Sequence, residues 1–512
     1  MKVKVTSLIS WIALLISVQV YYCNTSNAES PLSAIDWLSD IYTNIDKPNP
    51  LSAFPNKEPN EFSIATPKVD TKSSIERTIK LDIGNIYKGT LSSRKYNELL
   101  LKVNNELPPP LLAFLYTILS VKSRSPEKSV NYDDILLIRL NKLLEFGAIP
   151  QAQNLLEELD INNKKPYNKW FNIHLLSSSQ KEACDIVLKN KASTAHYRDR
   201  IFCLIQSGNT KVATLTLSGA AALDILSLEE EIILYNFLYS NNAYLQTDKQ
   251  IIQSITPMNY RVSKLIGASV DHLELSSAYH HSELMSNISG NKKLLYTENL
   301  VRNGVLPYRS LNSIYSDVTP DLDGSALKRA NLSKELDDSL SKEPTLRSLR
   351  KFVEFFDNLA DVGLENFALR YYSMDLLKIV NQYPNSRKAL TLLIRSADLK
   401  ALRKIRNKEK LNPIYRSIIF KSPINIRATS LSEKLIIDSL QKENIPEELE
   451  IIMRDRSSGE AILTAIIMLQ EAGTAEITNV IKGITFFNAL GFTDLASEVL
   501  IYKIANNETN FR

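Results

Sequence analysis

The sequence predicts an all-α protein: an α-solenoid of stacked antiparallel helix pairs behind a signal peptide and a Pro-rich linker. Three observations carry that expectation. Glycine is scarce, 14 of 512 residues, under half the usual share of about 7%, so few tight turns or phosphate-cradling loops can be built. From about Ser92 onward the apolar residues recur at helical spacing. A glycine followed five residues later by an alanine recurs along the chain, each time between two helical stripes.

The elements follow in order. Lys2 and Lys4 precede an apolar stretch from Leu8 to Val20, and Ser26-Asn27-Ala28 places small residues at −3 and −1 of a cleavage site. This is the pattern of a signal peptide over 1–28. The stretch Val5 to Tyr22 is at the short edge of a membrane span, so an uncleaved signal would tether the chain. No later stretch is long and apolar enough, and no membrane span is expected after cleavage. Ile35, Leu38 and Ile41 give 29–43 one short amphipathic helix. Pro48, Pro50, Pro55, Pro59 and Pro67 then make 44–74 a disordered Pro-rich linker, because proline removes backbone donors and fixes φ. The segment 75–83 is a weak strand candidate by its alternation.

The helical region begins beyond it. Asp133 to Phe146 carries Ile135, Leu136, Ile138, Leu140, Leu143 and Leu144 on one broad stripe. Gly147 stops that helix, and Pro150 opens the next. Two helices joined so briefly lie antiparallel. The unit recurs: Gly147 and Ala152, Gly208 and Ala213, Gly363 and Ala368, Gly491 and Ala496. Weaker copies put Ser178 before Ala183 and Ser396 before Ala401. The glycine is expected to adopt the left-handed conformation that ends the first helix. The alanine lets the second helix approach closely. One pair cannot bury its stripe alone, so pairs must stack. Gly304 and Pro307 mark a further helix stop and start, and a boundary near 320–345 separates an N-terminal helical region (75–320) from a C-terminal one (345–506).

This spacing resembles tetratricopeptide and related helical-hairpin repeats over 130–217, 340–405 and 460–503. It departs from that pattern two residues after the glycine, where Ile149, Thr210, Glu365 and Thr493 stand instead of an aromatic. The early tryptophan and closing proline are also missing. The stretch Leu107–Tyr239 is similar to a group of exported proteins of Gram-negative bacteria. That resemblance implies a periplasmic location and brings no activity with it.

Chemistry is sparse. Net charge is +4, and near +2 without the two signal lysines, so no nucleic-acid partner is implied. No two glycines lie within two residues of each other, which excludes a dinucleotide fingerprint. In Gly84–Thr90 the lysine stands on the wrong side of the second glycine for a phosphate loop. The Thr319–Gly324 run lacks the first and twelfth calcium ligands. His174, Cys184, His196 and Cys203 are zinc-type residues at spacings that match no compact module. Glu335 and Glu498 stand in no glycosidase-like context. No catalytic, cofactor or metal residues are assigned.

Cys184 and Cys203 fall on neighbouring helices and could be a disulfide or two buried thiols. Lys400, Arg403, Lys404, Arg406, Lys408 and Lys410 crowd eleven residues. They read as a solvated helix end or as a contact for an acidic partner or an anionic surface. Glu229, Glu230 and Glu231 suit a helix N-terminus. The expected function is a non-catalytic interaction scaffold of the cell envelope binding a protein or peptide. The alternative is a peptidoglycan-associated enzyme or enzyme subunit.

Overall fold

The computed structural model describes residues 86–87, 92–122, 132–177, 179–189, 195–240, 255–268, 270, 274–317, 324–341, 344–421, 436–437, 444–455, 457–470 and 476–506. The signal segment, the short helix over 29–43, the linker, the strand candidate, Ser178 and the Thr319–Asp323 run lie outside them, as does most of Gly84–Thr90.

All regular structure among the described residues is helical. The first helices are α1 (Ser93–Lys102), α2 (Pro109–Ser120), α3 (Tyr132–Phe146), α4 (Ile149–Gln153), α5 (Lys164–Leu176), α6 (Gln180–Leu188), α7 (Tyr197–Gln206), α8 (Thr210–Ala222) and α9 (Leu228–Leu238). The middle of the chain forms α10 (Pro257–Ile266), α11 (Ser277–Leu284), α12 (Gly290–Arg302), α13 (Tyr308–Ser316), α14 (Gly324–Leu340), α15 (Leu346–Ala360), α16 (Glu365–Tyr371) and α17 (Ser373–Gln382). The remainder are α18 (Arg387–Arg395), α19 (Leu399–Leu402), α20 (Pro413–Phe420), α21 (Glu447–Asp455), α22 (Ser458–Gln470), α23 (Glu476–Ala489) and α24 (Thr493–Asn506).

The helix ends have local causes. Ser227 and Glu230 form a reciprocal capping box at the start of α9, and the acids Glu229, Glu230 and Glu231 fill its first turn. Thr345 and Ser348 cap α15 in the same way. At the helix stops, Gly147, Gly208, Gly304, Gly363 and Gly491 all have positive φ. At each, the glycine N–H donates three residues back and the next N–H donates five residues back, as in Ala148 N to Leu143 O at 2.7 Å and Phe492 N to Phe487 O at 2.8 Å. This is the Schellman closure, which satisfies carbonyls that the helix leaves over. The weak copy at Ser396 is displaced by one residue. Ser396 stays right-handed at the C-cap, and Ala397 takes the left-handed conformation at φ 49°.

Ala152, Ala183, Ala213, Ala368 and Ala496 are all buried, so the second helix of each hairpin packs through its small residue. Consecutive helices pack on one another along most of the chain. Helix α14 lies within the 320–345 region and packs on both α13 and α15. It is tied back to α12, since Arg329 grips the Glu298 carboxylate through Nε at 2.8 Å and Nη2 at 2.7 Å, with the Tyr315 hydroxyl donating to the same group at 2.8 Å.

Packing is not confined to neighbours. α3 packs on α11, α1 on α22, and α2 on α24. Phe114 of α2 meets Phe487 and Phe492 edge to face at 5.4 and 5.0 Å. The Gly459 N–H donates to the Ile86 carbonyl at 3.0 Å, and the Gln470 amide bridges Lys102 O and Asn104 N at 2.9 and 3.0 Å. An open solenoid leaves its two ends apart; here the last helices pack on the first.

Candidate binding cavity

Because the ends meet, several hairpin turns face a common space. A cavity of about 1250 Å³ is lined by the α1–α2 connection and α2, by the α12–α13, α15–α16 and α23–α24 turns, and by Gln151 and Lys421. Gly304, Gly363 and Gly491, each at positive φ, lie in its wall. The absence of a side chain at Gly304 matters directly: a Cβ there would stand 2.7 Å from Leu112 Cδ2. That turn therefore seats on α2. Asn303 fixes it, with its carbonyl accepting from the Tyr116 hydroxyl at 2.6 Å and its side-chain oxygen from Asn105 Nδ2 at 2.7 Å.

The wall is mixed. Leu107, Leu112, Phe114, Leu306, Phe367 and Phe492 supply apolar surface. Most of its charges are paired. Arg370 donates to Glu498 at 3.1 Å and to the Ser396 carbonyl at 3.4 Å, and the Leu399 N–H also donates to Glu498. Asp494 takes two bonds from Arg403, at 3.0 and 2.7 Å, with Lys421 at 3.3 Å. The Arg403 bonds hold the Asp494 carboxyl below its usual range, and Asp494 in turn raises Arg403. Arg302 donates from Nε to the Val362 carbonyl at 2.9 Å. Burial raises the phenols of Tyr308 and Tyr502, so both are neutral donors at neutral pH. Glu365 Oε2 and Gln151 Oε1 are enclosed acceptors with no donor.

The residues singled out from sequence are placed as follows. Cys184 on α6 and Cys203 on α7 are joined as a disulfide, with Cα atoms 5.0 Å apart. The two cysteines are thus each other's partners. His174 instead bonds Ser179 Oγ through Nδ1 at 2.6 Å, and His196 bonds Asn168 Oδ1 at 2.9 Å. Of the basic stretch, Arg403 is held by Asp494, and the Lys408 ammonium lies over the Phe420 ring at 4.3 Å. Lys400, Lys404, Arg406 and Lys410 are exposed. Of the four turn glycines, Gly363 and Gly491 reach the cavity, whereas Gly147 packs under the Ser277 carbonyl.

Nothing in the sequence groups Arg302, Glu365, Arg370, Asp494, Glu498 and Tyr502 into the one wall that they form. Each is unremarkable beside its neighbours in the chain, and Arg302 is separated from Tyr502 by most of the C-terminal half. The one available signal was the turn glycines, whose flanks prove to be the lining segments. Among the described residues no group of three His, Cys, Asp or Glu side chains converges as a metal ion would require, and no helix is long and apolar enough to cross a membrane. Compared with protein-family models, with curated proteins and with solved structures, the chain matches none.

Proposed function

We propose that this chain is an exported, non-catalytic helical-repeat protein of the cell envelope that binds a peptide segment of a partner in the cavity between its hairpin turns. The observation that carries the reading is the cavity itself. Its volume, about 1250 Å³, exceeds the roughly 300–1,000 Å³ of small-molecule pockets. Its wall mixes apolar surface with polar groups, which suits an extended segment with varied side chains. The Schellman-closed hairpins at Gly147, Gly208, Gly363 and Gly491, with buried Ala152, Ala213, Ala368 and Ala496, support reading the helices as degenerate tetratricopeptide-like repeats. Such repeats present turns and inner faces to bound segments. The lysine-led apolar stretch at the N-terminus supports export, and a disulfide between Cys184 and Cys203 suits an oxidising compartment.

The test is selection from a random decapeptide display library. Ala113 lines the cavity from an exposed position on α2, so Ala113→Trp fills the space with little demand on the core. The wild-type chain is expected to enrich a consistent set of peptides that Ala113→Trp fails to hold. A library that yields nothing, or peptides retained equally by the variant, would sink the reading. Intact mass of the envelope form bears on export, since a chain beginning at Glu29 is the expected product.

A further inference from the structure

Four carboxylates line the cavity: Glu106, Glu365, Asp494 and Glu498. Asp494 is neutralised by Arg403 and Lys421, and Glu498 by Arg370. Glu106 is exposed beside the α2 start. Glu365 differs from all three. It is half-buried, and among the described residues no lysine or arginine pairs with it and no donor reaches its enclosed Oε2. A carboxylate oxygen kept from both water and donors is a costly arrangement that an incoming N–H group relieves.

Its neighbours favour a cation. The Tyr308 and Tyr502 side chains line the same cavity. The Tyr502 hydroxyl accepts from Asn366, the residue after Glu365, at 3.3 Å, and the Glu365 charge acts on that phenol. Ring faces attract ammonium and guanidinium groups. The nearby Arg370 is spoken for by Glu498, and Arg302 is tied through Nε to the Val362 carbonyl. Neither quenches Glu365. Resting on the peptide reading, we propose that Glu365 anchors a cationic N–H group of the bound segment, a basic side chain or a free amino terminus, beside the Tyr308 and Tyr502 rings. The group meets the half-buried carboxylate from the cavity that Glu365 lines.

Fluorescence titration with three probes tests this. Dansylcadaverine carries a primary ammonium on an apolar body, N-acetyl-dansylcadaverine is its neutral analogue, and dansylglycine is anionic. The amine is expected to bind at least about tenfold more tightly than the acetylated probe. Glu365→Gln removes that preference with its thermal melt unchanged, and Glu365→Asp, which keeps the charge, retains part of it. Ala113→Trp weakens the amine whatever its charge partner. Equal affinity for the amine and its acetylated form, or a preference that survives in Glu365→Gln, overturns the anchor and leaves the peptide reading standing. No binding by any probe at about 1 mM also overturns the anchor, and it removes the peptide reading only if the peptide library is silent too.

Discussion

His281 is the residue whose placement is least comfortable. It is fully buried on α11, and neither ring nitrogen meets a hydrogen-bond partner. Burial lowers its pKa from 6.5 to about 4. Burial lowers His174 to about 4 as well, although a hydrogen bond with the Ser179 backbone opposes the shift. Both groups are therefore depressed in the folded chain. Above pH 6.5 neither state binds the proton and stability is full. As pH falls from 6.5 to 4 the unfolded chain takes up protons that the folded chain refuses, and stability is lost. At about 1.4 kcal/mol per pH unit, a shift of this size is worth roughly 3 kcal/mol per buried histidine. His281→Leu removes one of the two without breaking a hydrogen bond. Its thermal melt at pH 7.5 is expected to equal or exceed that of the parent, and the drop between pH 7.5 and pH 4 to shrink. A drop as large as the parent's would mean that His281 titrates normally and is not enclosed as described.

Helix stops are where local sequence decides most, and they separate two costs that glycine avoids. At Gly267 the backbone is left-handed, φ 70°, with nothing within 4 Å of an added Cβ. At Gly147 φ is 85°, and a Cβ would stand 2.6 Å from the Ser277 carbonyl oxygen and 2.7 Å from Leu300. Gly267→Ala therefore meets backbone strain alone, about 1–2 kcal/mol. Gly147→Ala meets the same strain and must also displace main chain of α11. Calorimetric melts are expected to rank Gly147→Ala well below Gly267→Ala. Similar losses at both sites would mean that the α3–α4 turn does not pack on α11. The left-handed stop was legible in the sequence because only glycine takes that conformation cheaply; its close approach to Ser277 was not, because the partner lies 130 residues away in sequence. The same limit explains the register at Ser396. A glycine-free copy gives no local mark for its left-handed residue, and tertiary packing sets it at Ala397.

Helical spacing and hairpin stops predict neighbours, and along most of the chain neighbours are what pack. What periodicity cannot carry is which distant helices meet. Nothing in the α2 sequence, PPLLAFLYTILS, distinguishes a helix with one covered face from one buried almost all round. Its neutrality on every side, with seven of its residues buried, has its explanation in α24, which covers it from the far end of the chain. The cavity is a consequence of that closure, and the candidate site was illegible for the same reason. Phe114 tests the closure, since it packs edge to face on Phe487 and Phe492. Phe114→Ala is expected to cost about 3–5 kcal/mol. In a one-dimensional stack that loss would stay with α2 and its sequence neighbours. With the ends packed together, amide exchange is expected to accelerate both in 109–120 and in 476–506. Acceleration confined to the first of these would leave the C-terminal helices independent of α2, and with them the cavity wall that Phe492, Asp494 and Glu498 supply.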